Sequence, residues 1–262
     1  MLNLLCFNAF FAAQKRFDTV LGSLVEELDD LRQPMTAETP VPEGAVAKRM
    51  HEAVLPFCSS FLTRMICVAG AVADETLEAI TQITPLERAY VNNGGDIALY
   101  LSPGATFDTA IMSHDNQILS MLRLGYDDGV GGIATSGRHG RSQSLGIADA
   151  VTVLAHDAAT ADVAATLIAN AVDLPGHSVI RRQPATRINP DSDLGGQLIV
   201  ADCGPLTETE KGMALDRGLA VAPGMIDNGQ IIGVAMFLQG RNRTLGPAYF
   251  PAVMPERTIQ HA

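Results

Sequence analysis

Positive charge is scarce in this sequence, in which 18 lysines and arginines stand against 29 aspartates and glutamates. A net charge of −11 repels nucleic-acid phosphates unless a local basic patch overcomes the overall field. We therefore expect no nucleic-acid partner. The sequence also lacks the phosphate-binding pattern GxxxxGK[ST], and "GVGGIA" has neither the spacing nor the strand-loop-helix context of a dinucleotide-binding fingerprint.

Cysteine is sparse as well, and the four cysteines never occur at Cys-x-x-Cys spacing: they are Cys6, Cys58, Cys67 and Cys203. This scatter argues against a zinc site and against a disulfide framework. Free thiols persist most simply in a reducing compartment. We therefore expect a cytoplasmic protein.

Long apolar runs are absent, and none is long enough to cross a membrane. The apolar start "MLNLLCFNAFFAAQKRF" lacks the positive region that precedes the hydrophobic core of a signal peptide. We predict instead a strand over Leu2–Phe7 that runs into a helix, and no association with a membrane. A hydrophobic content of 47% is sufficient for a sizeable core. The sequence thus predicts a single domain over residues 1–262, with a proline-rich surface loop near residues 32–49.

Regular alternation of strands and helices is missing too, which argues against a doubly wound parallel sheet. Strands are predicted at 105–113, 132–137, 149–155, 177–185, 196–204 and 230–240, the first pairing with the strand before it and the last closing the sheet. A helix is expected over 63–80, a second from an N-cap at Asp157 to Val172, and a third from the capping box of Thr207 and Glu210. These elements indicate an α+β fold with a mostly antiparallel sheet and packed helices.

The stretch "AYVNNGGDIALYL", residues 89–101, carries two glycines inside a strong strand pattern. Glycine within a strand marks a bulge or the close approach of another backbone or a ligand. The sequence "NNGGD" is equally typical of a hairpin turn. This segment by itself leaves both interpretations open.

Oxygen ligands for a hard cation are available on the helix that begins after Asp157. Asp162 and Thr166 lie one turn apart on the same face, a spacing that suits Mg²⁺. A solvent-facing Asp with a Thr bonded to its own backbone is the alternative. The small residues Ala69, Gly70 and Ala71 predict either a close helix contact or the approach of a ligand.

A basic loop, "SGRHGRSQS", offers a local site for an anion in this acidic chain. Arg138, His139 and Arg141 stand between glycines there and could contact a diphosphate. A solvated basic loop is the alternative.

The segments "VNNGGDI", "ATSG" and "VTVLAHDAATADVAAT", in this order, resemble landmarks of the ApbE-like (FAD:protein FMN transferase) superfamily. The phrases "SGRHGRSQSLGIADAV" and "SDLGG" are similar to its smaller cytoplasmic branch. The resemblance covers residues 63–172 and implies an α+β fold of the tunnelling-fold type. It further implies FAD bound in a cleft, with Mg²⁺ assisting the transfer of an FMN moiety onto a protein threonine.

The resemblance also implies roles for individual residues. It places Asp162, Thr166 and the backbone carbonyl of Ala69 on Mg²⁺. It places two segments against the nucleotide: Asn93, Gly94, Gly95 and Asp96, and then Thr135, Ser136 and Gly137. On this interpretation the glycines interrupt the strand so that backbone can approach a cofactor.

Two departures from the family pattern bear on activity. Transferases of the family carry a lysine before the helix glycine, where this chain has Ala69, and their His-x-x-Asp-Pro segment is reduced here to "SLGIAD". A positive charge and a candidate acid–base group are therefore missing. We expect a protein that binds an anionic small molecule, a flavin nucleotide or related diphosphate, with Mg²⁺ and acts as a transferase or hydrolase. A non-catalytic binding protein is the alternative, and a homo-oligomer is compatible with either.

Overall fold

A computed structural model of the chain describes residues 2–83, 85–140 and 142–247. Within these ranges the strands form one six-stranded sheet, in the order β1-β2-β5-β6-β9-β10, and two two-stranded sheets, β3-β4 and β7-β8. All neighbouring strands are antiparallel. The predicted α+β class with a mostly antiparallel sheet is confirmed. The strands are β1 (Arg88–Asn93), β2 (Asp96–Leu101), β3 (Thr106–Met112), β4 (Ile118–Gly125), β5 (Gly132–Ser136), β6 (Ala150–Ala155), β7 (Ile180–Pro184), β8 (Leu198–Cys203), β9 (Gly233–Leu238) and β10 (Arg241–Leu245).

Two long helices, α4 and α5, cover the part of the large sheet that matters for the site, and they contact each other. A 3₁₀ turn over Arg64–Cys67 leads directly into α4. The α-helices are α1 (Leu2–Glu26), α2 (Leu28–Leu31), α3 (Ala45–Val54), α4 (Val68–Thr81), α5 (Ala158–Ala171), α6 (Glu208–Leu219) and α7 (Ala222–Asp227).

Strand β6 lies in the middle of the large sheet, between β5 and β9, and all six of its residues are buried. Val151 and Val153 suit this place because branched side chains pack well on a pleated surface that is covered on both faces. The prediction of a buried central strand at 149–155 is confirmed.

Helix α5 packs unusually close to β5. Its N-cap Asp157 accepts a hydrogen bond of 2.7 Å from the backbone N–H of Thr160, as the sequence predicted. A Cβ added to Gly132 would lie 2.1 Å from the carbonyl carbon of Asp157, so only glycine fits there. The interior alanines of α5 allow the same closeness along the helix, and Ala161 and Ala165 are fully buried. Backbone atoms of helix and strand therefore approach each other directly.

The predicted strand over Leu2–Phe7 is wrong, because α1 runs without interruption over Leu2–Glu26. One face of this helix, with Ala9, Ala12 and Val20, is buried, and α1 packs against α4. A short apolar run does not distinguish strand from helix by itself, and here the helical neighbour decides. The end of the predicted surface loop is also helical, since α3 begins at Ala45.

The hairpin interpretation of residues 89–101 is the one the structure adopts. Strands β1 and β2 pair antiparallel on either side of Gly94 and Gly95. The predicted partner of this segment, residues 105–113, instead forms β3, which pairs with β4.

Strand β9 does not close the sheet as expected, because β10 follows it and forms the edge. The capping box of Thr207 and Glu210 at α6 is confirmed.

Candidate functional site

A pocket opens where the first turn of α4, the start of β2 and the middle of α5 meet, and its volume is about 440 Å³. Ala69, Asp96, Asp162 and Thr166 all contribute to its lining. The sequence had assigned these four residues from three separate segments. The fold brings them to one place.

Asp162 is buried on α5 and is 9% exposed. Its Oδ2 atom accepts a hydrogen bond of 3.1 Å from the backbone N–H of Gly70. Burial raises the pKa of this carboxyl group well above its ordinary value, and the negative charge of Asp96 raises it further. The carboxylate therefore gains from any neighbouring positive charge.

Asp96, the first residue of β2, is the second carboxylate of the pocket. Burial raises its pKa, while a hydrogen bond from the backbone N–H of Thr135 acts in the opposite direction. Two carboxylates in one pocket repel each other when both are ionised. A bound cation would relieve this repulsion.

Two further contacts connect the segments around the carboxylates. The side-chain amide of Asn93 donates a hydrogen bond of 3.1 Å to the backbone carbonyl of Ala69, which ties the β1–β2 hairpin to α4. The hydroxyl of Thr166 donates a hydrogen bond of 3.3 Å to Oγ of Ser136, which ties α5 to the end of β5. The predicted segments 93–96 and 135–137 thus flank Asp162.

Gly94 and Gly95 occupy the hairpin turn, and their φ angles of 74° and 120° explain why glycine is required there. The N–H of Gly95 donates a hydrogen bond of 2.9 Å to the side chain of Asn92. A Cβ at Gly95 would meet nothing within 4 Å. The two glycines therefore set the position of Asp96 through the turn, and no atom of the described residues packs closely against Gly95.

Thr135 and Gly137, the other two residues of the 135–137 segment, make contacts within and beside the large sheet. The hydroxyls of Thr135 and Thr152 are hydrogen-bonded at 2.8 Å across β5 and β6. Gly137 has a φ of 148°, and a Cβ there would lie 2.5 Å from the backbone oxygen of Asp149. Of the predicted nucleotide segment, Ser136 is the residue whose side chain contacts α5.

Of this basic loop, Ser142 and Gln143 line the pocket, whereas Arg138 and His139 are not among its lining residues. Arg138 donates hydrogen bonds of 2.9 and 2.8 Å to Oδ1 of Asp149. The ring of His139 stacks on that of His114 with centroids 3.8 Å apart, and its Nε2 atom lies 3.3 Å from Asp149. Burial, followed by the charge of Arg138, lowers the pKa of His139. Arg141 lies outside the described residues.

Sequence reasoning missed Asp74 on α4. Its carboxylate accepts hydrogen bonds of 3.0 and 2.9 Å from the backbone N–H groups of Ala158 and Ala159, the first residues of α5. Burial raises the pKa of Asp74 to about 6, although these hydrogen bonds act in the opposite direction. No motif marks Asp74 in the sequence, and its place one helical turn after Gly70 is evident only once α4 is known.

A second wall of the pocket comes from the connection between β7 and β8, which contains the segment "SDLGG". Asp191, Ser192 and Asp193 line the pocket there. Asp193 accepts a hydrogen bond from the hydroxyl of Thr63, and Ser192 donates one of 2.7 Å to Gln143. The wall is therefore bonded to both neighbouring segments.

Around Asp162 the candidate cation ligands are oxygens: the carboxylates of Asp96 and Asp162, the Thr166 hydroxyl and the Ala69 carbonyl, while Asp191 and Asp193 belong to the second wall. In the part of the chain that the structure describes, no three His, Cys, Asp or Glu side chains cluster as a metal site. An oxygen set with few carboxylates suits Mg²⁺, which keeps several waters and phosphate oxygens as ligands. It does not suit zinc, which prefers nitrogen and sulfur.

Comparison with known proteins identifies a family and several proteins to which this chain is similar. A family model described as "AbpE bacteria" matches residues 6–244. A UPF0280 protein of Methanopyrus kandleri is 40% identical over 142 residues, which cover 52% of this chain and 54% of that protein. The chain spans about half the length of the curated relatives that it matches.

Two solved structures are similar over most of the chain. The ApbE protein of Thermotoga maritima is 14% identical, with a TM-score of 0.43, over 95% of this chain and 75% of that chain. The flavin transferase ApbE of Vibrio cholerae is 16% identical, with a TM-score of 0.39, over 95% and 77%. Among the described helices, none combines the length and apolar character needed to cross a membrane.

Proposed function

Because the chain belongs to the family described as AbpE bacteria, we propose that its pocket binds a flavin nucleotide such as FAD, or a related diphosphate, together with Mg²⁺. We propose further that the protein acts on this ligand as a transferase or hydrolase. The observation that carries the proposal is the pair of carboxylates on the partly buried Asp96 and the buried Asp162, which line one pocket with Ala69 and Thr166.

The pair is unfavourable without a cation. Burial raises the pKa of each carboxyl group, so the ionised forms are costly in the absence of a positive partner. Asp162, Thr166 and the Ala69 carbonyl would hold Mg²⁺, with Asp96 beside them. When bound, Mg²⁺ neutralises phosphate oxygens and the charge that develops on them.

The charge of the whole pocket supports a cation that accompanies an anionic ligand. Asp191 and Asp193 add two acidic side chains to Asp96 and Asp162, while Arg32 is the basic side chain among the lining residues described. A free diphosphate would be repelled by this lining. A diphosphate that arrives with Mg²⁺ would not.

The protein's own groups supply positioning. The hydrogen bonds from Gly70 to Asp162 and from Asn93 to Ala69 hold two proposed ligands in place. The Ser136–Thr166 contact orients the third. The segments 93–96 and 135–137 stand next to these groups, where we propose that they contact the nucleotide. Such fixed orientation is the main contribution that a protein makes to phosphoryl chemistry.

A binding protein without catalysis is the second candidate, and a specific observation favours it. Ala69 stands where the family's transferases carry a lysine, and "SLGIAD" lacks their histidine. The pocket then keeps its cation ligands but lacks a positive charge and an acid–base group.

Incubation of the purified protein with FAD and Mg²⁺, followed by chromatography, tests the proposal. Release of FMN and AMP, or transfer of FMN to an acceptor, that is abolished by Asp162→Ala supports the enzyme. FAD that binds and is recovered unchanged supports the binding protein. Asp127→Ala is the control, because this carboxylate is exposed and lies outside the pocket lining. Absence of binding of both FAD and ADP, a simpler diphosphate, by calorimetry with and without Mg²⁺ would refute both.

A further inference from the structure

Helix α1 carries large apolar side chains on the face that points away from the protein. Six of them are more than half exposed, from 57% for Phe17 to 75% for Phe10. We call this face the α1 stripe, and its members are Phe7, Phe10, Phe11, Phe17, Leu21 and Val25. The opposite face of α1 is already used, because Ala12 and Val20 are buried and Arg16 bonds to Glu75 on α4 at 2.8 Å.

The spacing of the α1 stripe is that of a helix-pairing surface. Phe7, Phe10, Phe17 and Leu21 follow one another at intervals of three, seven and four residues, with Gln14 in the gap at heptad spacing from Phe7 and Leu21. Such a repeat keeps one side of a helix against a second helix over several turns. A solvent-facing helix side would be polar instead.

The exposed area matches what a stable dimer requires. With about 200 Å² for each fully exposed phenylalanine, the four rings and two aliphatic side chains expose on the order of 700 Å². A standard interface buries about 800 Å² on each partner. The α1 stripe therefore exceeds the exposed apolar patch of a typical monomer, which is about 300 to 600 Å².

The α1 stripe is also complementary to a copy of itself. Phe7 and Leu21 lie seven residues to either side of Gln14, and Phe11 and Phe17 lie three residues to either side. If two copies pair antiparallel about Gln14, Phe7 meets the partner's Leu21 and Phe11 meets the partner's Phe17, whereas Phe10 stands opposite the partner's Asp18. This is the arrangement of a two-fold interface, in which the same patch serves both subunits.

The charges of the protein favour a second copy over a lipid surface. Helices that lie on membranes carry many lysines and arginines and are attracted to anionic lipids. Helix α1 has Lys15 and Arg16 against Asp18 and Glu26, and the chain carries a net charge of −11. Arg16 is moreover engaged by Glu75. We propose that the protein is a homodimer that forms by antiparallel pairing of the α1 stripe with its copy.

Sedimentation velocity of the full chain from about 1 to 100 μM tests the proposal. We expect a dimer for the natural sequence and for Ile118→Ser, a control at a residue that is 63% exposed on β4. Phe11→Asp should raise the dissociation constant at least about 30-fold, as the loss of a central apolar anchor does. Thermal unfolding that stays cooperative shows that the variant is folded.

A charge exchange tests the antiparallel pairing itself, because the correct pair of substitutions should restore the dimer that each single substitution weakens. Phe7→Lys alone and Leu21→Glu alone should each weaken the dimer, whereas the two together place opposite charges face to face and should restore it. A natural protein that is monomeric at the highest concentration overturns the proposal, whether it binds lipid vesicles or covers the stripe with its own residues. A dimer that tolerates Phe11→Asp, or a double variant that is no tighter than the single ones, overturns it as well.

Discussion

The backbone N–H of Gly70 donates a hydrogen bond of 3.1 Å to Oδ2 of Asp162, and this bond joins the first turn of α4 to the middle of α5. The two helices can come this close because Gly70 has no side chain. A Cβ at this position would lie 2.3 Å from the backbone oxygen of Ala158. Gly70 thus serves both the packing of the helices and the orientation of the buried carboxylate.

Gly70→Ala should destabilise the protein by roughly 1 to 3 kcal/mol, because backbone atoms must move to admit the methyl group. Gly22→Ala is the matched control, since Gly22 lies within α1 and a Cβ there meets nothing within 4 Å. That change should stabilise the helix by up to about 1 kcal/mol. Denaturant unfolding measures both. Equal effects of the two substitutions would contradict the close helix contact.

Asp162→Asn should lower the affinity for Mg²⁺ roughly 10- to 100-fold, because a charged ligand is replaced by a neutral one. The thermal stability of the ligand-free protein should not fall, since the substitution removes the repulsion from Asp96. Calorimetric titration with MgCl₂ measures the affinity, with Asp127→Asn as the control. An unchanged Mg²⁺ affinity would exclude Asp162 from the cation site.

Asp74 should make stability depend on pH. Its pKa is about 6 in the folded protein against an ordinary value of 3.8, so its proton stabilises the folded state. This contribution is fully present below about pH 4 and is lost as the pH rises through about 6. Between these limits, Asp74→Asn should gain roughly 1 to 3 kcal/mol of unfolding free energy relative to the natural protein.

Urea unfolding across this pH range measures the difference. Asp127→Asn should follow the natural protein in parallel, because its carboxylate is exposed. If the curve for Asp74→Asn is parallel to that of the natural protein as well, Asp74 is ionised in the folded state throughout. The explanation by burial would then be incorrect.

Arg138→Ala distinguishes a structural from a ligand-binding guanidinium. Arg138 bonds to Asp149, which also accepts a hydrogen bond from the backbone N–H of Gln239 at the end of β9. Its removal leaves Asp149 without a cation, and we expect a loss of stability of roughly 1 to 3 kcal/mol. The affinity for FAD should change less than about 3-fold. A drop of 10-fold or more by calorimetry would instead place Arg138 in the site.

The sequence predicted the fold where local chemistry and tertiary packing agree. The Asp157 N-cap and the Thr207–Glu210 capping box are local signals, and both helices begin where predicted. Residues 105–113 show the opposite case. Nothing local distinguishes β2 from β4 as a partner, because pairing depends on contacts made elsewhere in the chain.

Within one helix the candidate site could be predicted from residue spacing, but its distant segments were connected only by a resemblance. Asp162 and Thr166 share one helix and could be paired from their spacing alone. Asp96 reaches them through a hairpin turn, and Asp193 through a separate two-stranded sheet. Asp74 had no motif, since its role is to cap a helix 84 residues further along the chain.

One wall of the pocket lies on α5, and the other lies in the connection between β7 and β8, which form a separate two-stranded sheet. Helix α5 is packed against buried strands, whereas among the described strands β7 and β8 pair only with each other. Amide hydrogens of β6 should therefore exchange with deuterium only when the whole domain unfolds, while those of β7 and β8 should exchange through local opening. A ligand that contacts both walls should slow deuterium exchange in β7 and β8 and leave exchange in β6 unchanged. The pattern of protected amides would therefore show whether a bound ligand contacts the β7–β8 wall.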